Sequence, residues 1–263
     1  NIPDIELVMP KGGAWKWADA ICSLVGTLCE ELVDIEAMSR DNRTEIRVLS
    51  AIVEQYQWLL ENENLIDFAK IQTECYRLLS DNPAILGDLQ EKIRYLMIDE
   101  YQDTNYIQEQ IVFMLGAKYG NICVVGDDDQ GLYRFRGATI RNILEFPHKF
   151  PDNKCTIVPL DVNYRSNSDI VEFYNEWIST TDGAKFKFEW KNFRYPKHIV
   201  PFKHTDMKSK AVVKLTSSED EDEWHDKILG FIRKLKDSGK LTDYNQLAFL
   251  FSSVKSQQVT SLA

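Results

Sequence analysis

The sequence predicts an α/β architecture, a parallel sheet flanked by helices and entered through an all-helical N-terminal region. Three observations point there. Residues 14 to about 93 repeat apolar side chains at spacings of three and four and carry no strand signal. Short apolar runs then occur at 95–98, 122–125 and 156–160, each ending abruptly in acidic or amide residues. Stretches of helical period separate the runs, and continuous apolar runs alternating with helices read as buried parallel strands.

The elements follow in order. Ile46, Leu49, Ile52, Val53, Tyr56, Leu59 and Leu60 form a broad stripe on one long helix. After a polar break at 61–64, Leu65, Phe68, Ala69, Gln72, Cys75, Tyr76 and Leu79 resume the helical period. Pro83, behind Asp81 and Asn82, suits the first turn of a short helix. Ile107, Ile111, Met114 and Leu115 share a helix face between the first two runs, and Ile140, Ile143 and Leu144 do so between the second and third. Beyond Ser166, which has capping-box spacing to Asp169, a helix presents Ile170, Val171, Tyr174, Trp177 and Ile178. Alternating Phe186, Phe188 and Trp190 suggest a hairpin or irregular strands, and 211–215 is a strand candidate. Residues 219–236 read as an amphipathic helix with acids at its start and bases at its end, complementing its dipole. Residues 246–251 read as one more buried strand.

Composition narrows the class. The 263 residues suit one large domain or two modest ones. At 44% apolar and 27% charged, the chain is neither disordered nor collagen-like. No apolar run approaches 18 residues and no signal-peptide pattern opens the chain, so neither a membrane nor secretion is expected. The five cysteines are scattered, without a CxxC pair, and the four histidines are dispersed. That pattern favours reduced thiols in the cytoplasm over zinc or disulfides. The net charge of −10 hides segregation: residues 185–214 hold nine Lys or Arg against two acids, and an acidic block follows. The basic stretch admits two readings, contact with a phosphate backbone or a solvated lysine-rich face. Residue 1 is Asn, which reads as an excised piece of something longer.

Chemistry concentrates where the first two runs end. Asp99 and Glu100, leaving a buried strand, can hold a hydrated Mg²⁺ through the Asp and orient an attacking water through the Glu. The plainer alternative is that acids are common wherever a strand leaves the core. In open α/β sheets, ligands bind at this carboxyl edge.

The wider context is more specific. Residues 99–105 read DEYQDTN, residues 124–138 read VVGDDDQGLYRFRGA, and Asn163-Tyr164-Arg165-Ser166 follows Leu160. In this order and spacing, the blocks resemble superfamily 1A DNA helicases of the UvrD, Rep and PcrA type, over roughly residues 65 to 170. The resemblance implies a RecA-like parallel sheet, with 1–64 a helical subdomain, 65–158 the second half of a first motor domain and 159–263 the start of a second. It implies ATP and Mg²⁺ as cofactors, single-stranded and partly duplex DNA as partners, and 3′ to 5′ movement. Asp99 then binds Mg²⁺, Glu100 activates the hydrolytic water, Gln130 contacts the γ-phosphate, Arg165 reaches it from the second motor domain, and Tyr164 packs on the base. Tyr133, Phe135 and Arg136 are the DNA-facing candidates, since aromatics interleaved with Arg can stack on unpaired bases irrespective of sequence; the plainer alternative makes Tyr133 and Phe135 core residues. Asp67, beside the similar short segment Ile66-Asp67-Phe68-Ala69, is expected to cap a helix.

Departures from the family are also visible. Gly131 stands where Ser is usual, Phe135 where Trp is commoner, and Ser252 where a basic residue often follows the last strand. No GxxxxGK[ST] loop occurs in the 263 residues. The chain alone is therefore expected to lack ATPase activity, as the middle of a helicase. The rival expectation is a non-hydrolysing, helicase-like module that binds DNA or acts as a scaffold.

Overall fold

The computed structural model describes residues 2–131, 140–151, 154–179, 194–202, 211–216 and 221–251. Two units can be distinguished, one of 1–159 with 181–197 and one of 160–180 with 198–263.

The first unit opens with helices α1 (Ala14–Glu30), α2 (Ile35–Ser39), α3 (Thr44–Asn62), α4 (Phe68–Asp81) and α5 (Pro83–Lys92). Val25, Cys29, Val53 and Ala69 form the buried centre of the first four, bordered by Ile21, Leu28, Ile35 and Tyr56. The predicted stripe on α3 is corrected at one position: Leu59 faces solvent, while Val48 joins Ile52, Val53 and Leu60 inside. The break after α3 is a Schellman cap. Asn64 adopts φ 52°, and the Leu65 N–H reaches the Leu60 carbonyl at 2.8 Å. Leu65 therefore belongs to the cap rather than to the next helix, and both it and Phe68 are exposed. Asp67 caps α4 as expected. Its Oδ1 accepts the Lys70 N–H at 2.7 Å and its Oδ2 the Tyr56 hydroxyl at 2.8 Å, tying α3 to α4.

Strands β1 (Leu96–Ile98) and β2 (Ile122–Val124) pair in parallel, with Leu96 opposite Ile122 and Ile98 opposite Val124. Helix α6 (Tyr106–Gly116) connects them and starts in a capping box made by Asn105 and Gln108. The sheet packs on Tyr101, Ile143 and Phe146, the latter two from α7 (Arg141–Glu145) and the turn Phe146–Lys149. Period-two alternation sends Ile98, Ile122 and Val124 into this core. It also turns Met97 and Cys123 outward, with Met97 77% exposed, so the expectation of strands buried on both faces is corrected. The third run is corrected as well: 156–160 forms no strand, and Ile157, Val158 and Leu160 are exposed. Apolar side chains alone do not make a strand where no backbone ladder closes beside them.

In the second unit, β3 (Val162–Asn163) pairs in parallel with β4 (Val200–Pro201). Helix α8 (Ser168–Ser179) begins beyond Asn167, whose Oδ1 accepts the Asp169 N–H at 2.9 Å. Asn167 thus caps the helix in place of Ser166. Asn175 grips Ile199 through two hydrogen bonds, 2.8 and 3.1 Å. Helix α9 (Glu221–Asp237) matches expectation and ends with Lys234 and Lys236 in its last turn. Residues 211–215 and 247–251 form no strands; Asp243 caps a single turn at Tyr244–Gln246, and Leu250 is 95% exposed. The aromatic alternation at Phe186, Phe188 and Trp190 lies outside the described residues. Among the described residues, no helix is long and apolar enough to cross a membrane.

Candidate nucleotide-facing edge

Because β1 and β2 are parallel neighbours, the segments that leave them emerge at one carboxyl edge. Backbone pairing continues past the strands: Val125 N–H donates to Ile98 at 2.8 Å, and Tyr101 N–H donates to Val125 at 2.9 Å. Asp99 and Glu100 leave β1 at this edge, and the turn Asp128–Gln130 follows β2.

Glu100 adopts φ 51°, a left-handed conformation costing a non-glycine residue roughly 1–2 kcal/mol. Such outliers collect at functional sites, where the surroundings must hold them. Two neighbours do so here. Asp99 Oδ1 accepts the Glu100 N–H at 2.9 Å. On the other side, Tyr101 is wholly buried, meets Phe146 edge-to-face at 5.2 Å, and donates its hydroxyl to Glu109 at 3.1 Å. The Glu109 carboxylate is buried and paired with Lys149. Burial and the charge of Glu109 together push the Tyr101 phenol well above its ordinary range. The exposed Asp99 carboxylate suits a hard divalent cation, which takes one or two carboxylates and retains several waters.

Gln102 connects the two segments. Its Nε2 donates to Glu100 Oε2 at 2.7 Å, and its Oε1 accepts the Asp127 N–H at 3.0 Å. Gln130 donates to Asp127 Oδ2 at 2.8 Å. The carboxylates of Asp127, Asp128 and Asp129 lie close together, and two cationic side chains, Arg194 and Lys197, pair with them. Lys197 pairs with Asp127 and Asp128 and lies 3.1 Å from Asp129, while Arg194 reaches Asp129 at 2.5 Å. The Tyr195 N–H donates to Asp128 at 2.8 Å. Burial raises the Asp127 carboxyl, but hydrogen bonds from Lys197 and Gln130 outweigh it and hold the group below the usual carboxylate range. Burial likewise lowers Lys197, and its bonds to Asp127 and Asp128 reverse that and keep the ammonium above its ordinary range.

The edge thus gathers Asp99, Glu100 and Gln130 on the first unit. Tyr164 and Arg165 belong to the second, on the turn between β3 and α8. There Asn163 Oδ1 accepts the Arg165 N–H at 2.9 Å and the Ser166 N–H at 2.7 Å. The exposed Tyr164 ring rests against Phe202, 4.8 Å between centroids. Tyr133, Phe135 and Arg136 lie outside the described residues. Sequence reasoning missed Gln102, Asp127, Arg194 and Lys197. For Gln102 the only signal was its place inside the DEYQDTN block. For the two cations it was the opposite charge of two distant segments, which does not say that they meet.

Residues 11–151 match the UvrD/REP helicase N-terminal domain. The "Probable DNA helicase II homolog" of Rickettsia felis is 38% identical over 189 residues, which are 72% of this chain and 26% of that protein. The "ATP-dependent DNA helicase UvrD1" of Mycobacterium tuberculosis H37Rv is 34% identical over 180 residues, 66% of this chain and 23% of that protein. The "ATP-dependent DNA helicase PcrA" of Bacillus subtilis is 38% identical over 144 residues, 55% and 19% respectively. The matched region spans about a quarter or less of the length of these relatives.

Proposed function

Since the chain belongs to the UvrD/REP helicase N-terminal domain family, we propose that it is the central part of an ATP-dependent DNA helicase that moves 3′ to 5′ on single strands and opens partly duplex DNA. The sheet of the first unit is then RecA-like, with 1–64 a helical subdomain, 65–158 the second half of a first motor domain and 159–263 the start of a second. The observation that carries this reading is the shared edge: Glu100 and Gln130 follow adjacent parallel strands and are joined through Gln102 and Asp127. Open α/β sheets bind ligands at that edge.

The proposed roles follow from the chemistry of phosphoryl transfer, where positioning and electrostatics do most of the catalysis. Glu100 orients the attacking water and draws on its proton, and Gln130 donates its amide to the γ-phosphate. Arg165 answers the developing charge with a planar, multi-donor guanidinium, and Tyr164 stacks on the base. Asp99 would hold Mg²⁺, which when bound neutralises charge on the phosphate oxygens. Tyr133, Phe135 and Arg136 grip unpaired bases. With no phosphate-binding loop in its 263 residues, the chain alone should not turn over ATP.

In the full-length protein, Glu100→Gln should lower ATP hydrolysis by about 10²–10⁴-fold while ATP and single-stranded DNA still bind. Phe135→Ala should do the opposite, weakening single-strand binding by about 1–3 kcal/mol and sparing basal hydrolysis. A full-length wild type with no hydrolysis at all would favour the non-hydrolysing module instead.

A further inference from the structure

We propose that Gln102 is a positioning residue that fixes the Glu100 carboxylate relative to the Gln130 amide. The proposal rests on the reading of Glu100 and Gln130 as nucleotide-facing groups. Gln102 is 1% exposed, and a buried primary amide must find partners for both of its ends. Here one end donates to Glu100 Oε2 and the other accepts from the Asp127 backbone. The reverse orientation would set oxygen against carboxylate and NH₂ against N–H, so the network admits one orientation of the amide. At neutral pH an ionised Glu of the same length could accept at both ends but donate at neither, whereas the amide does both.

The surroundings are shaped to the amide. A Cβ at Gly126 would lie 2.6 Å from Gln102 Oε1 and 2.8 Å from Ile143 Cδ1, so a side chain there would have to displace the amide oxygen and the isoleucine methyl. Tyr101, the preceding residue, is anchored in the core and pins the turn Tyr101–Asp103. The hydrogen bonds then run without a gap from Glu100 through Gln102 to Asp127, and from Asp127 to Gln130. Lys197 completes the line by holding Asp127 as an anionic acceptor. Among the described residues Glu100 Oε1 accepts no hydrogen bond from the protein, which leaves it as the oxygen for water. A shift of the segment after β2 is thereby transmitted to the carboxylate that orients this water.

The test uses the full-length protein and compares Gln102→Glu with Gln102→Met, both close to Gln in volume. Gln102→Glu places a second carboxylate against Glu100 and removes the donor. Its kcat for ATP should fall about 10–100-fold near pH 8, the range typical of lost outer-shell partners, with ATP KM close to wild type. On acidification toward pH 6 the ratio of variant to wild-type kcat should rise. The introduced carboxyl, its pKa lifted by burial and by Glu100, then regains a proton to donate. Gln102→Met should lose kcat with no such recovery, and it keeps the question answerable should the added charge prevent folding. Wild-type kcat in folded Gln102→Met, or a deficit in Gln102→Glu that is flat with pH and carried by KM, would overturn the positioning role. Glu100→Gln assayed in parallel separates the two claims. If it hydrolyses ATP normally, the nucleotide-site reading fails. If it is inactive while the Gln102 variants are not, only the present inference fails.

Discussion

The helical core around Val53 and the sheet edge around Gln102 belong to the same unit and both exclude water, yet different forces hold them. Around Val53 the buried side chains are largely apolar, and their contribution follows area removed from water, with little dependence on direction. Around Gln102 the buried groups include Glu109, Asp128 and Asn142, each committed to particular partners. Burying such groups stabilises nothing unless every bond is made, and losing one partner strands the other. The helical region should therefore yield gradually to substitution, whereas the edge should respond sharply and through charge.

The largest effect is expected at the edge. Lys197→Met removes the cation shared by Asp127, Asp128 and Asp129, two of which are almost fully enclosed. Urea denaturation should show a loss of about 3–5 kcal/mol, the usual consequence of breaking a buried pair from one side. A loss under about 1 kcal/mol would mean that the acids are solvated and the contrast is unfounded.

Titration sharpens the same comparison. The folded pKa of Asp127 is depressed, so its contribution is present above the ordinary aspartate value of about 3.9 and is lost as pH falls through the folded value. The folded pKa of Lys197 is raised, so its contribution is full below about 10.4 and is lost as pH rises past the folded value. The deficit of Lys197→Met should stay flat between about pH 5 and pH 10 and shrink outside that range. Denaturation curves collected across this range check it.

In the helical core, Val53→Ala removes two methyl equivalents from a fully enclosed position and should cost about 2 kcal/mol. Its deficit should not vary with pH, and a marked acid dependence would show that the two regions are not distinct. Asp67→Ala should cost about 1 kcal/mol by uncapping α4, measured as a lower midpoint in the same urea series. Smallest of all, Phe68→Ser should change stability by less than about 0.5 kcal/mol, because the ring is 85% exposed. If that change exceeded the loss at Asp67, the helical periodicity would be the better guide to burial after all.

Legibility differed in the same way between the regions. The long helices α3 and α4, the Pro83 start of α5 and the cap at Asp67 were readable because each depends on residues within one or two turns. The runs that became β1 and β2 were readable because they are short and bounded, although 156–160 shares both features and formed no strand. Leu59, Leu65 and Phe68 misled for one reason: an apolar residue in register is a candidate for burial, and only a packed neighbour makes it so. At the edge, the acids at the strand ends could be picked out from the sequence, while Gln102 stood in the same block without an apparent task.

By itself, the sequence determined the helical periods, the alternation of apolar runs with helices, and the gathering of acids and amides where strands end. Those features follow from spacings of two, three or four residues, which the chain carries wherever it folds. The tertiary structure decided which runs found a ladder, pairing 96–98 with 122–124 and leaving 156–160 and 247–251 without one. It also decided that Gln102 meets Asp127 across 25 residues and that Lys197 meets the same acid across 70. Contacts at that separation depend on which backbones the core draws together. Local pattern contains no term for that choice.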